Sequence, residues 1–100
     1  MSMSTSPALR WRSVPSEAIA WREWDGEFVV RNERSGSTHL LGALAGQVLK
    51  VLVAADRPLS GADVEQRFAA ATGHSLGAAA EIDVVLGEFG RLGLAEPAPA

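Results

Sequence analysis

The chain has 100 residues, 47% of them apolar, and a formal net charge of −3. This length and composition suit one domain with a modest core, and the absence of cysteine excludes disulfides, thiolate catalysis and cysteine metal sites and favours a cytoplasmic location. The apolar runs are too short for the roughly 20 residues of a membrane-spanning helix, and the negative charge disfavours nucleic acid as a partner.

The two ends of the chain differ in composition from its middle. Residues 1–8 are rich in Ser, and residues 97–100 contain only Pro and Ala. We therefore expect a disordered N-terminal tail, one domain over residues 9–96 and a short C-terminal tail. Residues 9–12 alternate apolar and basic side chains, which is compatible with an additional strand that Pro15 would end.

Three short antiparallel strands are predicted in the first half of the chain. The first two, over about residues 18–24 and 27–32, flank Asp25-Gly26. This pair favours a type I′ hairpin turn because both central residues of that turn need a positive φ. A second turn is predicted over residues 33–36, followed by a third strand over residues 37–41.

The two-residue turn sets the register of the first hairpin, with Trp24 opposite Glu27 and Trp21 opposite Val30. Trp24 and Val29 share the more polar face, where they form either a packed cross-strand pair or a docking patch. The more apolar face is expected to cover the core. It carries Ile19, Trp21, Phe28 and Val30.

Three helices are predicted after the strands. The first covers residues 43–54, where apolar side chains recur at helical spacing, and it ends before Pro58. The second has a clear start signal, because Ser60 suits the cap position and Asp63 stands at the third helical position, a variant of the capping box. Gly73 is expected to end it.

The third helix is predicted over residues 77–92, with Ser75 as a candidate cap. Gly93 suits the left-handed residue that follows many helices, and Leu94 would then contact Phe89. The predicted fold is therefore α+β: a three-stranded antiparallel meander followed by three helices, an arrangement that resembles a winged helix.

Winged helices often bind DNA, but the charges of the third helix disfavour that function here. Off its apolar stripe it carries Glu81, Asp83 and Glu88 against Arg91. A helix that reads DNA meets a lattice of phosphates and normally has a basic surface. We therefore expect no nucleic-acid partner, although a winged-helix regulatory module remains the alternative interpretation.

Catalytic and metal-binding motifs are missing from the sequence. His39 and His74 are the two histidines, and neither has the spacing of a metal-binding motif such as HExxH. No nucleophile elbow or phosphate-binding loop is present. We expect no catalytic activity, no cofactor and no metal site, and we interpret His39 as a strand or surface residue.

Three runs of sequence carry a resemblance to a known family: WREWDGE at residues 21–27, SGSTHLL at 35–41 and LGL at 92–94. With them, residues 11–96 resemble the PqqD-like family of peptide chaperones. The resemblance is greater to the branch encoded beside HPr-kinase-related proteins, the HPr-rel-A system. Many relatives have Asn, often followed by Pro, where this chain has Gly42-Ala43.

The resemblance implies the fold of a leader-peptide recognition element, with three strands and three helices. It also implies an adaptor that binds the leader of a ribosomally synthesised precursor peptide and presents it to a modifying enzyme, such as an HPr-kinase-related one. A role in pyrroloquinoline quinone synthesis is not implied, because the hairpins of this branch differ from those of true PqqD proteins.

The last predicted strand would be a sheet edge, whose unpaired N–H and C=O groups accept an added strand. The third helix would form the other wall of a groove. Its two internal glycines cost about 1 kcal/mol each relative to Ala, which indicates either a closely approaching peptide or tight packing against the first or second helix. The expected peptide-binding residues are Ser37, Thr38, His39, Leu40 and Leu41 on the strand and Asp83, Leu86, Gly87 and Gly90 on the helix.

A third interpretation stays open. The exposed edge would also suit a subunit that pairs with another protein or with a second copy of itself. We expect a monomer or a weak dimer, and no membrane partner.

Overall fold

The computed structural model describes residues 9–98; the tail expected to be disordered, residues 1–8, lies outside this range, as do the last two residues. The described chain forms two antiparallel sheets and three helices, with a short 3₁₀ turn before the second strand. The elements in chain order are β1 (Arg10–Ser13), β2 (Ile19–Trp24), β3 (Glu27–Asn32), β4 (Thr38–Leu41), α1 (Ala43–Ala54), α2 (Gly61–Thr72), α3 (Ala79–Leu92) and β5 (Ala95–Ala98).

The strands β2, β3 and β4 form the predicted meander, in that order across the sheet. Asp25 and Gly26 have φ angles of 52° and 79°, as a type I′ turn requires. The predicted hairpin register is confirmed, because Trp24 pairs with Glu27 and the pairing continues unbroken along both strands. The α+β fold expected from the sequence is therefore present.

The predicted core face of the hairpin is confirmed in its centre and not at its edge. Phe28 and Val30 on β3 are buried, whereas Trp21 on β2 keeps 38% of its surface exposed. The difference arises because β3 is the central strand, while β2 has a neighbouring strand on one side only.

The helix α1 covers the inner face of the sheet and has the predicted bounds. Its Gly46 faces the ring of Phe28, and a Cβ at this position would overlap the ring. The missing side chain therefore lets α1 approach the sheet closely. The fully buried side chains between sheet and helices are Phe28, Val30, Val48, Leu49, Leu52, Leu59, Val64, Ile82, Leu86, Phe89 and Leu94.

The predicted start of α2 is confirmed by a reciprocal pair of hydrogen bonds. Ser60 Oγ accepts from the Asp63 N–H at 3.2 Å, and Asp63 Oδ2 accepts from the Ser60 N–H at 3.0 Å. The helix ends at Gly73, which has a left-handed φ of 75°.

The predicted start of α3 is wrong by two residues, and Ser75 does not cap the helix. Its hydroxyl donates to Glu65 on α2 at 2.6 Å. The residue before α3 is Ala78, whose N–H donates to Glu81 Oε1 at 3.2 Å. The Ser75 side chain, which the local sequence predicted as a cap, therefore bonds to the Glu65 carboxylate on the neighbouring helix.

The predicted end of α3 is confirmed. Gly93 has a φ of 76°, and the Leu94 N–H donates to the Phe89 carbonyl at 2.9 Å. This bond brings the chain back along the helix and leads it into β5.

A second sheet, which the predicted fold did not include, joins the two ends of the described chain. The additional strand suggested for residues 9–12 exists as β1 and pairs with β5. This pairing includes Pro97 and Ala98, so the strand extends past the expected domain boundary at residue 96. Trp11 also exchanges two backbone hydrogen bonds of 2.8 Å with Leu59, just before α2.

Candidate functional site

The strand β4 lies at one edge of the three-stranded sheet, and its hydrogen bonds to β3 define which backbone groups are used. The Asn32 N–H donates to the Ser37 carbonyl at 2.9 Å. Opposed residues of an antiparallel pair alternate between bonded and non-bonded positions. In the observed register the next bonded pair is Val30 with His39. The N–H and C=O of His39 therefore point toward β3.

The same alternation leaves Thr38 and Leu40 with their N–H and C=O groups at the open edge of β4. The other side of β3 agrees with this pattern, because the Glu33 N–H donates to the Ala18 carbonyl at 2.7 Å, in line with the β2–β3 pairs. These bonds define the register of β4 after the turn at residues 33–36.

The sheet has a second open edge along β2. Because Trp24 and Glu27 close a two-residue turn, they form a bonded pair. The alternation then leaves the backbone groups of Trp21 and Glu23 at the open edge of β2. The sheet therefore offers two open backbone edges to an added strand, along β2 and along β4. The two edges differ in the elements that lie beside them.

The helix α3 runs along β4 in the opposite direction. Near its end, the Gly93 carbonyl accepts from Asn32 Nδ2 at 2.9 Å, and Asn32 lies opposite the start of β4. Before its start, a Cβ on Gly77 would lie 3.8 Å from Leu44 Cδ1, at the beginning of α1 and just past the end of β4. The start of α3 therefore lies near the end of β4, and the end of α3 lies near the start of β4.

One flank of α3 packs on α2 and β1. Asp83 Oδ1 accepts from the Gly61 N–H at 2.7 Å, at the start of α2. Gly90 lies against the Trp11 ring, and a Cβ on it would lie 2.6 Å from Cζ3 of that ring. Asp83 and Gly90, expected as a groove wall, are therefore occupied by internal contacts. Tight packing explains Gly90, although the partner is β1 and not a helix.

The opposite flank of α3 carries two half-buried apolar side chains, Val85 and Leu92, which pack against the edge of the core. At 3.6 residues per turn they stand on the side of the helix away from Asp83 and Gly90. Within residues 9–98, no atom outside the adjoining backbone of α3 lies within 4 Å of the place where a Cβ on Gly87 would be. No packing contact therefore accounts for this glycine.

The other expected site residues differ in accessibility. Leu41 and Leu86 are buried in the core, while Thr38 and Leu40 are exposed. His39 is half-buried on the inner face of β4, and its Nε2 is shielded from solvent with no hydrogen-bond partner in the described part of the chain. A shielded polar atom without a partner costs about 1–3 kcal/mol, so an added hydrogen bond there would be favourable.

Three residues that shape this site were not among the expected peptide-binding residues: Asn32, Val85 and Leu92. Asn32 is buried, and besides its bond to Gly93 its Oδ1 accepts from the Arg34 N–H at 2.8 Å. An Asn at the start of a turn often bonds to the backbone two residues further on. The position of Asn32 before the turn at residues 33–36 is therefore the sequence feature that indicates its role. Helical spacing places Val85 and Leu92 on the apolar side of α3, but spacing does not distinguish a half-buried flank from the core.

Electrostatics fix the segment that leads into α3. The pKa of Glu65 is held below its ordinary value, chiefly by the Ser75 hydroxyl and then by the Leu76 N–H. The Leu76 N–H donates to Glu65 Oε1 at 2.7 Å.

Between residues 9 and 98, no three His, Asp or Glu side chains are grouped to hold a metal ion, and no helix is long and apolar enough to cross a membrane.

Comparisons with known proteins identify a similar fold. No protein-family model and no curated protein matches the sequence. Among solved structures, the chain is similar to the one titled "TbiB1 in Complex with the TbiA(beta) Leader Peptide", with a TM-score of 0.61 and 16% sequence identity. The match covers 86% of this chain and 98% of that chain. At this level of identity the likeness establishes the fold.

Proposed function

We propose that the chain is a non-catalytic adaptor of the PqqD-like type, which binds the leader of a precursor peptide as an added strand on β4 and presents it to a modifying enzyme. The observation that carries this proposal is the open edge of β4, where Thr38 and Leu40 direct their N–H and C=O groups outward. Main-chain bonds to such an edge provide affinity, and pockets for alternate side chains provide specificity.

The neighbouring helix is what favours β4 over the edge of β2. An extended peptide beside Thr38 and Leu40 would direct every second side chain toward the helices. There it would meet the apolar flank of α3 that carries Val85 and Leu92, and it would lie near His39. Ser37 and Leu41 mark the two ends of the bound segment in this arrangement.

The proposed site thus differs from the sequence expectation on its helical side. It keeps the β4 residues and replaces Asp83, Gly87 and Gly90 by Val85 and Leu92. Leu86 contributes from beneath, as part of the buried floor.

A peptide ligand is further supported by the similar solved structure, because TbiB1 was solved in complex with a leader peptide. The proposal of a modifying enzyme rests on the sequence resemblance, which favours an HPr-kinase-related partner and membership of the HPr-rel-A branch.

A short peptide gene and a modifying-enzyme gene beside this one would support the proposed peptide and the proposed enzyme. The peptide encoded there is the probe for the binding experiment.

Proline substitutions at adjacent β4 positions test the proposed edge. Proline removes the backbone donor and is tolerated on edge strands where that donor is not used within the sheet. Thr38→Pro should stay folded and lose affinity for the peptide, because the N–H that faces the added strand is gone. His39→Pro should lower the melting temperature, because it removes a bond to Val30. Thermal melting and calorimetric titration with the encoded leader peptide measure both effects.

The control variant is Glu23→Pro, which removes an outward-facing N–H from the other edge of the sheet. It should leave peptide affinity unchanged. If Glu23→Pro abolishes binding while Thr38→Pro binds normally, the peptide adds to β2. If all three variants bind normally, strand addition is not the mode of binding.

A further inference from the structure

Three large apolar side chains are exposed together on the outer face of the sheet, which is turned away from the helices. The exposed fractions are 76% for Trp24, 42% for Val29 and 66% for Leu40. Val29 and Leu40 are direct cross-strand neighbours, and Trp24 is diagonal to Val29 across the hairpin. Single exposed apolar residues are ordinary, whereas a contiguous group indicates an interaction site.

Two arginines accompany this group. Arg22 on β2 lies opposite Val29 on β3, and Arg31 on β3 lies opposite Thr38 on β4. Arg31 has a partner in Glu33 at 3.2 Å, whereas Arg22 has no ion pair within residues 9–98. Between them lies a shallow depression of about 260 Å³, lined by Ala20, Trp21, Arg22, Val29, Arg31 and Thr38.

We propose that this outer patch, formed by Arg22, Trp24, Val29, Arg31 and Leu40, docks an acidic and apolar segment of another protein. The segment places one apolar side chain in the depression and a carboxylate beside Arg22. Trp and Arg are the residue types that contribute most to binding energy at protein interfaces, and opposite charge on the partner both accelerates association and selects the partner.

The charge of the patch favours an acidic partner over a second copy of this chain. Arg31 is already paired with Glu33, whereas Arg22 has no ion pair within residues 9–98 and lines the depression. An acidic segment would give Arg22 this partner. A second copy would bring one carboxylate on the outward-facing positions of β2, β3 and β4, Glu27, together with the same two arginines.

The outer patch and the proposed peptide site use different groups. The patch offers side chains on the face of the sheet, whereas the peptide site offers backbone groups at the edge of β4. Both can be occupied at once, and a strand added to β4 would extend the face that carries the patch. The docking inference stands on its own evidence even if no peptide binds at β4.

Selection of random displayed peptides on the full-length chain tests this inference. We expect the enriched peptides to have an apolar residue flanked by Asp or Glu, and to shift the amide NMR signals of β2, β3 and β4. Trp24→Ala and Arg22→Glu should each weaken an enriched peptide by about tenfold or more. Val84→Ala is the matched control, because Val84 is 71% exposed on α3, and it should bind like the native chain.

Several results would overturn the inference. They are enrichment without acidic residues, no enrichment at all, or amide shifts that fall outside the sheet. Concentration-dependent dimerisation that Trp24→Ala abolishes would assign the patch to a second copy. Tight, steeply salt-dependent binding of single-stranded DNA that Trp24→Ala weakens would assign it to nucleic acid. Circular dichroism of each variant verifies that the fold is intact.

Discussion

At the residue scale, two glycines inside helices have opposite surroundings. Gly46 in α1 leaves room for the Phe28 ring, and a Cβ there would overlap it. Gly87 in α3 has open space where its Cβ would be. A helical glycine costs roughly 1 kcal/mol relative to Ala, so the same substitution has opposite consequences at the two positions.

We expect Gly46→Ala to destabilise the fold by about 1–3 kcal/mol, because the extra methyl group overpacks the core. Gly87→Ala should stabilise it by roughly 0.5–1 kcal/mol. Urea unfolding measures both changes. Gly87→Ala should also keep its affinity for the leader peptide, and a selective loss of that affinity would place the peptide on the other flank of α3.

A single carboxylate makes the start of α2 sensitive to acid. The pKa of Asp63 lies below its ordinary value of 3.8, chiefly because the carboxylate accepts a hydrogen bond from the Ser60 backbone. Arg10 Nε, 3.6 Å from the carboxylate, favours the charged form as well. Since the folded pKa is below the unfolded one, this stabilisation is complete above the unfolded pKa and is lost as the pH falls through the folded pKa.

Asp63→Asn should therefore lower the stability at neutral pH and lose less stability than the native chain on acidification from about pH 5 to about pH 2. Ser60→Ala should cost about 1 kcal/mol at neutral pH through the lost cap. Urea unfolding at a series of pH values measures these effects. Equal acid losses in the native chain and in Asp63→Asn would show that this carboxylate does not contribute.

At the scale of elements, one buried side chain connects the turn before β4 to the end of α3. Asn32 donates to the Gly93 carbonyl at 2.9 Å and accepts from the Arg34 N–H at 2.8 Å and the Ser35 N–H at 3.3 Å. The spacing between β4 and α3 thus depends on side-chain hydrogen bonds far from the middle of the proposed groove.

We expect Asn32→Ala to destabilise the fold by roughly 1–3 kcal/mol, because three backbone groups lose their hydrogen bonds to the Asn32 amide. It should also weaken peptide binding, since both walls of the groove become less well positioned. Unfolding by urea and calorimetric titration measure the two effects. Ser60→Ala serves as the control for stability alone, and equal peptide affinities in the two variants would contradict the positioning role of Asn32.

At the scale of the whole molecule, β1 and β5 join the two ends of the described chain beside the helices. Trp11 on β1 contacts Gly90 on α3 and exchanges hydrogen bonds with Leu59 before α2. Trp11 thus connects two segments that lie far from it in sequence: its ring packs on α3, and its backbone bonds to the residue before the α2 cap. The Trp11 ring packs on the flank of α3 that lies opposite the proposed groove.

Trp11→Ala should lower the unfolding free energy by about 2–3 kcal/mol, since it removes the ring that packs on α3. Trp24→Ala is the matched control, because Trp24 is exposed on the outer face, and it should leave the stability nearly unchanged. Urea unfolding followed by circular dichroism compares the two variants. Equal losses would mean that the second sheet contributes little to the fold.

The sequence by itself determined the features that neighbouring residues control. Asp25-Gly26 set the register of the first hairpin because two positive φ angles close that turn in one way. The bounds of α1 followed from the helical spacing of its apolar residues. The cap at Ser60 followed from hydrogen bonds between residues that are three apart in the sequence. The edge position of β4 followed from the order of a meander.

The tertiary structure alone decided the features that depend on residues far apart in the chain. The Ser75 hydroxyl donates to Glu65 and does not cap α3. The Asp83 carboxylate accepts from the first residue of α2, and the Trp11 ring packs against Gly90. Each partner lies in another element, and local periodicity carries no information about which elements meet. The wall of the proposed groove is therefore visible only once α3 is packed, because helical spacing does not show which of its two flanks α2 and β1 cover.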